Sequence, residues 1–187
     1  KGAKPNDCTT VIIEVEGGYI PKCVPLECKK ELRIPEGNIS FAVYKSTESY
    51  IIAKLSKVPE GYDVTNITYP GWCVDLNNTI KIGTIFNGTL FLSTDPELDT
   101  KCPSCVNSNW TYVNYIINHK TGNITDIQSA ISYFAGGGKY PTTPAAISMV
   151  ENALLYGVDF VPKSGQFIAI IVYVDAKTQM IIIEVDP

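Results

Sequence analysis

Charge is scarce in this sequence. Asp, Glu, Lys and Arg make up 18% of its 187 residues, where a soluble domain carries about 25%. The balance is mildly acidic, with 15 Lys and Arg against 19 Asp and Glu and a net charge of −4. With a pI near 5.0 and no basic cluster, nucleic acid is excluded as a partner. Long apolar runs are missing too. None reaches the ~20 residues of a membrane helix, and the best candidate, Phe167–Val174, is strand-sized. Histidine occurs once. No Ser-His-Asp or paired-carboxylate arrangement can be assigned, and His119 falls at the end of an expected helix, where the dipole favours a cation. Asp75, Asp95, Asp99 and Asp126 lack EF-hand spacing. Gly136-Gly137-Gly138 follows a helix instead of opening one, so it stops a helix and cradles no phosphate. No enzyme activity, no metal and no cofactor is therefore expected.

What is present points outside the cell. Six Asn-x-Ser/Thr sequons occur, at Asn38, Asn66, Asn77, Asn87, Asn109 and Asn123. N-glycans there would supply the solubility that the few charges do not. Six cysteines, Cys8, Cys23, Cys28, Cys73, Cys102 and Cys105, suit an oxidising compartment. They allow fifteen complete pairings, and spacing does not choose among them. The chain starts at Lys1 without a signal peptide, so the signal is expected to have been removed.

Periodicity gives an α+β domain, an antiparallel, sandwich-like β core with three inserted helices and an N-terminal strand-bearing arm. Residues 1–38 read as the arm and 39–187 as the globular domain. Thr9–Glu16 is a β-branched strand standing alone, followed by an irregular Pro- and Cys-rich connector, Tyr19–Pro35, stapled by Cys23 and Cys28. Strands are expected at Ile39–Lys45, Tyr50–Ser56, Gly71–Leu76 and Ile80–Phe86, the last turning at Asn87-Gly88 into a hairpin. Asp95–Ser108 reads as a polar loop. One helix runs from an Asn109 cap to His119, with Trp110, Val113, Ile116 and Ile117 inward. A second starts at Thr125, with Ile127, Ala130, Ile131 and Phe134 inward. Thr143-Pro144 opens a third, ending at Tyr156 before Gly157. Gln166–Val174 and Gln179–Val185 form a closing hairpin around Ala176-Lys177.

Three runs carry a resemblance: GWCVDL around Cys73, VNYIINHKTGNITDIQSAISYF around Gln128, and GVDFVPKSGQFIAIIVYVDAKTQMIIIEV at the end. Over roughly Ile39–Val185 they resemble the thioester domains of secreted surface proteins. That family has an aromatic-Cys motif on a strand and a Thr-Gln-x-Ala-type motif at a helix start, whose side chains condense into an internal thioester. Trp72-Cys73 matches the first motif. Ile127-Gln128-Ser129-Ala130 matches the second with Ile in place of Thr, and Tyr133 stands where an aromatic usually follows. The resemblance implies a Cys73–Gln128 crosslink. A thiolate beside a helix N-terminus would have a lowered pKa, and the same free N–H groups would steady the oxyanion.

Other readings of these residues stay open. Gln128 also fits the last position of a capping box begun by Thr125. Cys73 could pair with Cys8 in a disulfide. Cys102-Pro-Ser-Cys105 has the spacing of redox and zinc sites, and with Cys23 and Cys28 could make a four-thiolate site, although the oxidising context favours disulfides.

Two functions follow. In the first, this is a structural subunit of an extracellular filament, tube or surface layer. Its arm strand, through Val11, Ile13 and Val15, completes a neighbour's sheet, giving a homopolymer. In the second, it is a covalent adhesin domain whose thioester acylates amines on a target surface. The first is preferred, because neither a tether nor a sorting motif follows the last strand before Pro187.

Overall fold

The computed structural model describes residues 8–15, 18–25, 32–106 and 109–186, the first two stretches as backbone alone. The chain divides into two compact units, Lys1–Lys30 and Glu31–Pro187.

The first unit holds a β-hairpin. Strand β1 (Cys8–Val15) pairs antiparallel with β2 (Gly18–Pro25), in a register that sets Val15 opposite Gly18 and Cys8 opposite Pro25. The arm strand is thus not alone, and the first part of the expected connector is its partner. Pro21 and Pro25 argue against a strand in the sequence. In a two-stranded ladder every other N–H points away from the partner, and a proline there removes no ladder bond. The expected Cys23–Cys28 staple and the side chains of Cys8, Val11, Ile13 and Val15 lie outside the described residues.

The second unit is built on a closed barrel, where a sandwich was expected. Its strands are β3 (Ile39–Lys45), β4 (Ile51–Ser56), β5 (Thr68–Cys73), β6 (Ile85–Leu92), β7 (Ile168–Tyr173) and β8 (Ile181–Val185). All neighbours are antiparallel, in the order β3-β4-β5-β8-β7-β6. Alternating burial is the same for both architectures. Closure comes from β6, which pairs with β3 over Ile85–Gly88 and with β7 over Thr89–Leu92. Asn87-Gly88 is therefore no hairpin turn. It lies inside β6, where the strand changes partners, and the expected strand over Ile80–Phe86 begins only at Ile85. Glycine is needed here because a Cβ on Gly88 would meet the Tyr173 carbonyl oxygen at 2.8 Å.

Two apolar clusters divide the core. Ile39, Phe41, Val43, Ala53, Leu55, Ile170, Ile181 and Ile183 fill the barrel. Trp72, Ala169, Ile171 and Ile182 point the other way, into a helical layer. This explains why β7 and β8 read as unbroken apolar runs: both faces are covered.

The helical layer is α1 (Leu98–Lys101), α2 (Trp110–Asn118), α3 (Ile124–Phe134) and α4 (Pro144–Tyr156). The three long helices lie where periodicity places them. The inward residues named above for α2 and α3 are all buried. The fourth, α1, lies in the expected polar loop with a 3-10 turn at Pro103–Cys105, and Cys102 bonds Cys105 across them. Asn114 pins α2 to the barrel. Its Oδ1 accepts from the Ala169 N–H at 2.9 Å and its Nδ2 donates to Ser93 Oγ at 2.9 Å.

Candidate functional site

Cys73 is the last residue of β5. Its register partner on β8 is Ile181, while β4 has ended opposite Gly71. On that open side its backbone N–H and C=O have no strand to meet. Gln128 takes the strand's place. The Cys73 N–H donates to Gln128 Oε1 at 3.1 Å, and Gln128 Nε2 donates to the Cys73 carbonyl at 2.6 Å. One carboxamide thus continues the ladder with a matched acceptor and donor. Its second amide hydrogen goes to Ser132 Oγ at 2.7 Å. Gln128 and Ser132 are 7% and 3% exposed.

The approach of β5 to β8 is close. A Cβ on Gly71 would lie 2.7 Å from the Ile182 carbonyl oxygen, so this position in GWC must be glycine.

The start of α3 differs from the Thr125 box. The cap is Asn123, whose Oδ1 accepts from the Asp126 N–H at 3.0 Å. Asp126 Oδ2 returns a bond from the Asn123 N–H at 3.1 Å. The Thr143 hydroxyl donates to the other Asp126 oxygen at 2.6 Å, and this bond, with the Asn123 N–H, holds the carboxyl below its usual range. Gln128 is the fifth residue of the helix and takes no part in capping. Its side chain is free for Cys73.

The thiol also departs from expectation. Cys73 carries a free, buried thiol, and burial pushes it from 9.0 up to about 11. The Asp126 N–H at the helix start goes to the Asn123 side chain and not to the thiol. The sulfur donates to Gln179 Oε1 at 3.3 Å, and Gln179 Nε2 donates in turn to the Asp75 carbonyl at 2.7 Å. That second bond orients the amide, since the flipped form would set two acceptors face to face. The donor to the Gln128 carbonyl oxygen is likewise the Cys73 N–H and not the helix end.

Trp72, next to Cys73, faces the helices. Its indole N–H and the Lys120 ammonium converge on Glu184, which is 3% exposed. Glu184 and Ser132 escaped the sequence reading. Glu184 is an isolated charge inside an Ile-rich strand, a signal of a paired buried carboxylate. Ser132 has only its spacing, one helical turn after Gln128.

The remaining expected residues lie apart from this centre. Cys102 and Cys105 bond each other. Asn38, Asn66, Asn77, Asn87, Asn109 and Asn123 are all exposed. His119 caps α2, its Nδ1 2.8 Å from the Tyr115 carbonyl. Among the described residues no cluster of His, Cys, Asp and Glu could hold a metal ion.

A cleft of about 530 Å³ opens beside the site, lined among others by Val74, Asp75, Asn77, Tyr133 and Asp175. No helix among the described residues is long and apolar enough to cross a membrane.

Compared with known proteins, the sequence matches no family and no curated relative. Its structure is similar to the N-terminal thioester domain of a surface protein from Clostridium perfringens, solved with a cysteine replaced by alanine. The TM-score is 0.51 at 9% identity, over 80% of this chain and 99% of that one. At that identity the likeness is one of fold, and the fold is thioester-domain-like.

Proposed function

We propose that this protein is an extracellular surface domain in which Cys73 and Gln128 condense into an internal thioester that acylates an amine on a target surface. The observation that carries the reading is the two-point docking of the Gln128 carboxamide on the Cys73 backbone. It sets the electrophilic carbon beside the residue whose sulfur attacks it. The Cys73 N–H polarises the carbonyl and receives the charge that develops on oxygen. The sulfur–carbon bond forms, the carbon–nitrogen bond breaks, and ammonia leaves with the thiol proton. A thiol held up to about 11 is almost wholly protonated at neutral pH, so the reaction depends on this placement and not on a standing thiolate. The domain acylates once and does not turn over, so it is not an enzyme. It needs no cofactor. N-glycans on the six exposed sequon asparagines fit a cell-surface location.

A second reading is favoured by the separate N-terminal unit. The β1–β2 hairpin forms a compact unit of its own, and a strand exchanged with a neighbouring copy would make a filament or surface-layer subunit. In that case the thioester is an internal staple. The test is the intact mass of the deglycosylated, non-reduced protein with mapping of its joined peptides. Loss of one ammonia with Cys73 and Gln128 peptides linked supports both forms of the reading, and reaction with methylamine selects the first. A free Cys73 beside an unmodified Gln128 in every molecule would sink the crosslink. Assembly that survives deletion of residues 1–18 would sink strand exchange.

A further inference from the structure

The leaving nitrogen of Gln128 has a built surrounding. Nε2 donates to two acceptors, the Cys73 carbonyl at 2.6 Å and the Ser132 hydroxyl at 2.7 Å. Ser132 lies one turn along α3, 3% exposed, with its side chain turned to Gln128 instead of solvent. Its backbone is clamped. The Gly138 N–H donates to the Ser132 carbonyl at 3.1 Å, and a Cβ on Gly138 would stand 2.5 Å from that carbonyl's carbon and oxygen.

We propose that Ser132 is the proton-transfer residue of the Cys73–Gln128 reaction and sets its preference for nitrogen nucleophiles, an inference that rests on the thioester reading above. The balance of the reaction assigns the work. When Sγ adds to the Gln128 carbonyl carbon, that carbon bears both sulfur and nitrogen. The nitrogen leaves only after gaining a proton, and the proton in surplus is the one on sulfur. Direct passage requires a strained four-membered ring. Once sulfur and nitrogen share that carbon, a hydroxyl bonded to the nitrogen closes a six-membered relay between them. Ser132 gives its proton to nitrogen, receives the thiol's, and ends unchanged as ammonia departs.

In the reverse direction the same hydroxyl takes a proton from the incoming nucleophile and passes it to the departing sulfur. An incoming amine occupies the place of Nε2 and brings two hydrogens for two acceptors. An alcohol brings one and leaves a buried acceptor unpaired. The chemical class selected is a primary amine.

The experiment uses the full chain. The bond is opened with ammonia, which restores Gln128, and its return is followed by intact mass after transfer to ammonia-free buffer. Opening by methylamine and by glycerol is then compared at equal concentration. Ser132→Ala is expected to slow closure by about 100-fold and to reduce the preference for methylamine by about tenfold. Ser132→Thr, which keeps the hydroxyl, is expected to close at a rate near that of the parent chain. Ser132→Val, its isostere without the hydroxyl, is expected to behave as the alanine variant. The Thr/Val pair decides the matter even if alanine prevents folding. Equal rates and equal preference in Thr and Val variants overturn the role of Ser132 while the thioester reading stands. A parent chain that never loses ammonia overturns both.

Discussion

The indole N–H of Trp72 donates to Oε1 of Glu184 at 2.6 Å, joining the strand that carries Cys73 to its neighbour in the barrel. The same carboxylate takes the Lys120 ammonium at 2.7 Å on each oxygen. Lys120 stands in the turn between α2 and α3, so one buried carboxylate ties β5, β8 and the approach to the Gln128 helix together. The Lys120 ammonium also lies 5.9 Å from the centre of the Trp72 ring.

Glu184→Ala is therefore expected to cost about 3 kcal/mol, because it leaves a half-buried ammonium and a buried indole N–H without their acceptor. Glu184→Gln keeps an oxygen for Trp72 but loses the charge, and should cost less. Urea unfolding of both variants checks the order. A loss under 0.5 kcal/mol for Glu184→Ala would mean that water replaces the carboxylate and that the network does not hold the site.

Gln128→Ala separates structure from chemistry. It exposes the Cys73 N–H and C=O at a place that β4 does not cover, and each unpaired buried group costs about 1–3 kcal/mol. The loss of ammonia should vanish from the intact mass at the same time. Gln128→Glu keeps the shape but faces the Cys73 carbonyl with an acceptor, and should destabilise as well. If Gln128→Ala is as stable as the parent chain, the carboxamide is not acting as a surrogate strand.

These relationships show where the sequence was legible. The 3.6-residue stripe in Trp110–Asn118 and the Thr143-Pro144 start placed the helices, because each buries one face and stops at a glycine or a cap. The Trp72-Cys73 and Gln128 motifs named a pair that the fold does bring together. What could not be read was long-range geometry. Barrel and sandwich strands alternate alike, and only the pairing of β3 with β6 closes the ring. Asn87-Gly88 carries the signature of a hairpin turn, yet Gly88 serves a close strand contact with Tyr173. The elevated thiol was equally hidden. It depends on burial at the barrel end, which does not follow from spacing.

The thiol predicts a pH signature. Burial raises Cys73 from 9.0 to about 11 in the folded protein. Above pH 9.0 the unfolded chain begins to release this proton while the folded chain keeps it, so the unfolded state binds fewer protons and stability falls as pH rises. The decline should span pH 9.0 to about 11 and level off above it. Cys73→Ala, with no thiol to titrate, should lack this component, as should the crosslinked protein. Parallel stability curves for the free-thiol parent and Cys73→Ala across that window would show that the thiol is not held in its protonated form by burial.

Gly138→Ala tests the clamp on Ser132 without touching a reacting atom. The added Cβ would meet the carbonyl carbon and oxygen of Ser132 at 2.5 Å and the Tyr133 nitrogen at 2.6 Å. These are backbone atoms of α3, which cannot swing aside as the end of a side chain would. The loop after α3 must shift, at a cost of about 1–3 kcal/mol. The Ser132 hydroxyl moves with the turn it sits on, so closure of the Cys73–Gln128 bond should slow along with the loss of stability. Gly37→Ala is the control. A Cβ there meets nothing within 4 Å, and its effect should stay within about 0.5 kcal/mol. Thermal unfolding and the rate of ammonia loss, measured on both variants, give the answer. If Gly138→Ala is as benign as Gly37→Ala in both, the contact is relieved elsewhere, and the glycine run serves only to end the helix.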